Sequence, residues 1–251
     1  MPSVSSFSNF MFFLTISRSC SLIPDVSLRL HYPTVGAIGA ARISSITKKR
    51  ASLPSASLEE EIDPGEVAGL RVLKYPDPRL RAENAEITSF GDELKSIARR
   101  MFELMYAADG VGLAAPQVGI NKRLMVYNEF GNPKKWLSEI VLVNPRIVEK
   151  STTTDVETEG CLSFPGMNGP VKRAKWVKVE ALNLKGKKIK KKFTDFEARI
   201  FQHEYDHLEG VVYIDHLDAP SLESVQPRLD ELSEEMVEAT RTRPPLPPLD
   251  P

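Results

Sequence analysis

The chain has 251 residues, 33 bases, 34 acids and a net charge of −1. That length allows one substantial hydrophobic core without demanding a second domain. Only two cysteines occur, one of them within the first twenty residues, which excludes a disulfide framework and fits a reducing compartment.

The first 58 residues differ from the rest. Arg18, Arg29, Arg42, Lys48, Lys49 and Arg50 face a single acid, Asp25, in a serine-rich background. This composition is that of an organellar transit peptide, removed or disordered in the mature protein, with a disordered extension or a secretory signal as the alternatives. The apolar run Phe10 to Ile16 is too short to span a bilayer, so no membrane partner is expected. Taking six bases and one acid from the totals leaves 27 and 33, a mildly acidic body that argues against general nucleic-acid binding, DNA included, though not against a local patch.

A single domain is expected over residues 66–240. Arg71 to Tyr75 reads as a short strand ending in a Pro76/Pro78 turn. The spacing of Leu94, Ile97, Ala98, Met101, Leu104 and Met105 predicts an amphipathic helix over 91–106. Gly110-Val111-Gly112-Leu113-Ala114-Ala115-Pro116-Gln117 follows, a loop of small residues with one amide side chain. Strands are expected at Leu124–Tyr127, Ile140–Val143, Thr154–Glu157, Trp176–Leu182 and Lys188–Phe193. The lysine-rich stretch 185–192 reads as a solvated hairpin or edge strand, or as a contact for ribosomal RNA.

Residues 202–210 hold the pattern His203-Glu204-Tyr205-Asp206-His207. Two histidines four apart lie one turn above each other on a helix and can share a metal ion. Glu204 stands beside the first of them, where a carboxylate can take a proton from water at the metal. Thr194-Asp195-Phe196-Glu197 reads as a capping box and Gly210 as the stop. A third ligand has few candidates: His31 lies in the leader and His216 follows the helix by a short strand, Val211–Ile214. Cys161, in Glu159-Gly160-Cys161-Leu162-Ser163, stands out among glycine and short polar neighbours. Leu229, Leu232, Met236 and Val237 predict a C-terminal helix, and the proline-rich segment 241–251 a disordered tail. The whole reads as α+β, antiparallel sheets packed around a central metal-binding helix.

Gly110–Gln117, Glu159–Ser163 and His203–His207 together resemble, in this order, the three motifs of the peptide deformylases. The resemblance covers about residues 68 to 240 and is nearest to the organellar, plastid-type members of plants and algae. It implies a hydrolase that removes the N-formyl group from the initiator methionine of nascent organelle-made chains and releases formate. Cys161, His203 and His207 are then the ligands of one divalent ion, with Fe2+ native and Zn2+, Ni2+ or Co2+ as substitutes. Glu204 is the acid–base residue; the Gln117 amide and Leu162 N–H stabilise the oxyanion. The backbone of Val111, Gly112 and Gly160 binds the peptide, and Val111, Ile200 and Phe164 wall the methionine pocket. Glu159 and Asp206 orient the ligands. The partners implied are formyl-methionyl peptides and, transiently, the ribosome; the form is a monomer or homodimer in the plastid stroma, with the mitochondrion as the alternative. Two competing readings are a zinc endopeptidase, which the helix motif alone suggests, and a non-catalytic formyl-peptide or ribosome-binding module.

Overall fold

The computed structural model describes Glu66–Val67 and residues 69–242. The expected transit segment 1–58, with His31, and residues 243–251 of the expected tail lie outside the described residues.

Two short strands, β1 (Glu66–Val67) and β2 (Leu70–Arg71), precede helix α1 (Asp92–Ala107). A five-stranded antiparallel sheet has the order β3-β4-β5-β8-β9, made of Gly112–Ala114, Leu124–Tyr127, Ile140–Lys150, Trp176–Leu182 and Lys188–Thr194. Strands β6 (Thr154–Gly160) and β7 (Asn168–Ala174) pair separately. Helix α2 (Asp195–Leu208) carries the histidines, and α3 (Ala219–Thr242) closes the described chain.

The layering follows from β4. Successive side chains of a strand point to opposite faces. Leu124 and Val126 therefore join Met101, Leu104 and Met105 of α1, whereas Met125 and Tyr127 join Ile200 and Phe201 of α2. A strand buried on both faces reads as a continuous apolar run, here Leu-Met-Val-Tyr. The sheet thus lies between α1 and α2. Farther along, β8 has water on one side, so Val177, Val179 and Ala181 turn inward while Lys178 and Glu180 turn out.

The end of β7 is tied to α2 by a side chain. Gln202 accepts the Ala174 N–H at 3.0 Å and donates to the Ala174 carbonyl at 2.8 Å, taking the place of a neighbouring strand. Helix α2 ends at Gly210 (φ +70°) with Val211 N–H bonded to Asp206 C=O and Gly210 N–H to His207 C=O, a Schellman motif.

Several sequence expectations need correction. The strand expected at Arg71–Tyr75 is confined to β2, and Val211–Ile214 gives way to a 3-10 turn at Tyr213–His216. Strand β5 runs on to Lys150 past Pro145, because the ladder is irregular between Val143 and Arg146 and so spares the missing proline N–H. There Asn144, at φ +49°, bonds Ile87 at both N–H and C=O. Strand β7, with its Gly169 and Pro170, was not expected. The capping box at Thr194 does not form: Thr194 makes no side-chain cap, Asp195 sits at φ +53°, and Glu197 instead accepts from Tyr127 and Lys191. Helix α3 extends to Thr242, into the segment expected as tail, despite Pro227 in its interior.

Candidate active site

Helix α2 presents His203 and His207 to its buried side, and β6 delivers Cys161 to the same place immediately past its last residue, Gly160. The three side chains offer ligand atoms that all lie within 4.8 Å of one another. Cys161 Sγ is 3.3 Å from His207 Nε2. Among the described residues this is the one group of three or more such side chains close enough to hold an ion.

The donor set fits a metal. A sulfur and two imidazoles suit a borderline-soft divalent cation, and three protein ligands leave a position for reacting groups. Nδ1 of His203 lies 2.9 Å from Glu159 Oε2. Burial opposes ionisation of Glu159, but hydrogen bonds from His203 and Arg173 outweigh it and hold the carboxyl far below the usual range. An ionised Glu159 can only accept, so His203 Nδ1 carries a proton, and the other ring nitrogen, Nε2, is the atom left to face the cluster. Burial likewise pushes His207 down to about 3, which keeps its ring neutral and able to ligate.

Glu159 is the centre of a buried ion network. Arg173 donates to both its oxygens at 2.9 Å, and Arg199 donates at 2.7 Å. Arg173 also reaches Asp206, whose Oδ2 lies 2.8 Å from His216 Nε2. Arg199 continues to Asp155 and Glu157 on β6. His216, a candidate ligand in the sequence, is thus placed on Asp206 and apart from the cluster. The sequence reasoning missed Arg173 and Arg199 as part of the site. Arg199 carried a signal, since it lies four residues before His203 and so on the same helical face.

Glu204 is buried, with Oε2 lacking any hydrogen-bond partner. Burial, with the nearby charges of Glu159 and Asp206, pushes its carboxyl up to about 7 against the pull of His203 and Arg173. A carboxyl poised near neutrality can both take and return a proton. Gly112 on β3 faces it so closely that a Cβ there would stand 2.4 Å from Glu204 Oε1.

Gly110–Gly119 forms β3 and a 3-10 turn at Ala115–Val118. Gln117 accepts the Ala114 N–H through Oε1 at 2.8 Å, and this aims its NH2 at Cys161 Sγ (3.5 Å) and Ser163 Oγ (3.3 Å). Leu162 occupies the turn in which Phe164 N–H bonds Cys161 C=O at 2.9 Å. As the outer strand, β3 is hydrogen-bonded to β4 on one side. The Val111 carbonyl already accepts the Asn128 N–H. Val111 and Ile200 share an apolar cluster, but Phe164 belongs to another, stacked on Tyr75 and edge-on to Tyr213 behind Cys161.

The family model described as Polypeptide deformylase matches residues 70–223. The chain belongs to the peptide deformylase family. It is 48% identical over 171 residues to "Peptide deformylase 1B, chloroplastic" of Oryza sativa subsp. japonica, covering 68% of this chain and 63% of that protein. It is 45% identical over 171 residues to "Peptide deformylase 1B, chloroplastic/mitochondrial" of Arabidopsis thaliana, covering 68% and 62%. The match therefore spans less than two thirds of the length of these relatives. A plant peptide deformylase PDF1B crystal structure superposes with a TM-score of 0.68 at 43% identity, covering 72% of this chain and 98% of that one. The likeness extends to the α+β architecture, with antiparallel sheets and a C-terminal helix.

Proposed function

We propose that the domain within residues 66–240 hydrolyses the N-formyl group from formyl-methionyl peptides and releases formate. The observation that carries this reading is the convergence of Cys161, His203 and His207 beside a buried Glu204 carboxylate whose Oε2 has no hydrogen-bond partner, with the Gln117 amide aimed at the same point. These three side chains would hold one divalent ion, Fe2+ in the native protein with Zn2+, Ni2+ or Co2+ as substitutes. When bound, the ion supplies Lewis acidity that makes water nucleophilic near neutral pH.

The remaining work falls to the chain. Glu204 takes the proton from the attacking water and returns it to the departing amine nitrogen, as the formyl C–N bond breaks. The Gln117 NH2 and the Leu162 N–H donate to the oxygen of the tetrahedral intermediate, where charge develops. Glu159 holds His203 in the ligating tautomer. The outer edge of β3, at Gly112 with Val111 just before it, and the end of β6, at Gly160, bind the peptide as an added strand, which reads main chain and tolerates varied sequence. Val111 and Ile200 wall the methionine pocket, and Phe164 backs Cys161 from behind.

The chloroplastic names of the relatives and the acid-poor leader support the plastid stroma as the working compartment, where nascent chains on ribosomes are the source of substrate. The test is formate release from formyl-Met-Ala-Ser by the protein purified anaerobically with ferrous iron. Activity that vanishes in Glu204→Ala while the metal is retained supports the reading. A folded, metal-loaded protein that releases no formate overturns it.

A further inference from the structure

The outward face of the β8–β9 hairpin is independent of the hydrolytic site. Residues 175–192 hold eight lysines against one acid, Glu180, in a chain whose net charge is −1. The register places Lys178 opposite Lys192, Glu180 opposite Lys190 and Leu182 opposite Lys188, and opposed residues share a face. Lys188, Lys190 and Lys192 therefore form an exposed row on one side of the outermost strand, with Lys178 beside it.

Three features set this row apart from lysines that merely guard a sheet edge. Like charges directly opposite one another destabilise a sheet, and Lys178 and Lys192 are such a pair. The pair is gathered at the Trp176 ring, with its ammonium groups 5.6 and 4.5 Å from the ring centroid. Among the described residues no carboxylate pairs with Lys188 or Lys192, while Lys178 and Lys190 are bridged at 2.6 Å to Glu149 and Glu180. Those two bridges are exposed, so exchanging them for another anion costs little. Alternate residues of a strand stand roughly 6.6 Å apart, close to the separation of successive phosphates along a nucleic-acid strand.

We infer that this face docks the ribose-phosphate backbone of RNA through Lys178, Lys188, Lys190 and Lys192. The contact reads charge and spacing, so it is insensitive to base sequence. It leaves the opposite face of the sheet, which packs on α2, free to serve the catalytic site.

The experiment is fluorescence anisotropy of a labelled 20-nucleotide single-stranded RNA titrated with the full chain between 50 and 200 mM salt. Binding should weaken with salt with a log–log slope of about −3, the value for four neutralised phosphates on a single strand. The triple variant Lys188→Ala, Lys190→Ala, Lys192→Ala should lose at least roughly tenfold in affinity at 50 mM salt and about two units of that slope. Its unfolding midpoint should not fall, since the opposed Lys178–Lys192 pair is relieved, and the corresponding triple arginine variant should keep the affinity. Absence of binding at 50 mM salt, or equal affinity in the alanine variant, overturns the inference. So does capture by phosphatidylserine vesicles that matches or exceeds RNA binding and is lost in the alanine variant, which would reassign the face to a lipid surface.

Discussion

Glu159 Oε2 and His203 Nδ1 are 2.9 Å apart, both buried, on residues 44 positions apart in the sequence. The carboxylate fixes the ring, and Arg173 and Arg199 fix the carboxylate.

Replacing Glu159 by glutamine keeps its shape and removes its charge, leaving two buried guanidinium groups less compensated. Breaking one partner of a buried pair costs roughly 3–5 kcal/mol, and losing a ligand's supporting carboxylate lowers metal affinity by about 10–100-fold. Thermal unfolding and chelator competition read the two effects separately. Wild-type affinity in Glu159→Gln would remove Glu159 from the ligand-orienting role.

Gln117→Ala deletes an NH2 group that points at Cys161 and Ser163. The loss of one oxyanion donor lowers turnover by about two to three orders of magnitude. Metal content should stay at the wild-type level, since Gln117 is not one of the three ligands. Metal content and kcat measured on the same preparation test this, and unaltered kcat would remove Gln117 from the oxyanion site.

Gly112→Ala puts a methyl group where Glu204 now lies, at 2.4 Å from Oε1. The carboxylate must move, and a displacement of about 1 Å in a reacting group costs on the order of 100-fold in rate. Overpacking of this size destabilises by roughly 1–3 kcal/mol. The expected signature is a fall in kcat much larger than the fall in the melting temperature. Comparable kcat in a folded Gly112→Ala protein would show that Glu204 does not need its present position.

Arg81 and Asp215 form a partly exposed bidentate pair at 2.8 and 2.9 Å. Burial works against the Asp215 charge, but hydrogen bonds from Arg81 and the Val212 N–H prevail and lower its pKa from 3.8. A carboxyl depressed on folding contributes stability above its unfolded pKa and loses it as the pH falls through the folded value. Solvent screening limits the pair to about 0–1 kcal/mol. Urea unfolding of wild type and Arg81→Met should therefore differ at pH 6 and converge toward pH 3. An undiminished gap at pH 3 would mean that Arg81 stabilises by packing and not by charge.

The sequence made parts of the site legible because local spacing encodes them. His203, Glu204 and His207 share a helix whose period is fixed, so their side is computable from position. Cys161 stood out because Gly160 and Ser163 beside it leave room for close approach. Arg173 was hidden: it lies on β7, whose Gly169 and Pro170 mask its strand character, and it meets Glu159 through the reach of its side chain, since the β6–β7 register sets it opposite Asp155. The Thr194 cap misled for a similar reason, because Glu197 is drawn away by Tyr127 across the sheet. The surroundings of Phe164 could not be read from the sequence either, because its ring packs on Tyr75 and Tyr213, both distant along the chain.

The two bonds between Gln202 and Ala174 act on α2 as a key acts in a slot. A helix held only by apolar packing can turn a little about its own axis at small cost, carrying its side chains with it. Here such a turn would shear an amide away from a backbone it matches at both ends, and His203 stands on the very next residue. The aim of the two imidazoles is thereby borrowed from a β-strand, and a change at Ala174 that shifted its backbone would be felt as a misdirected ligand.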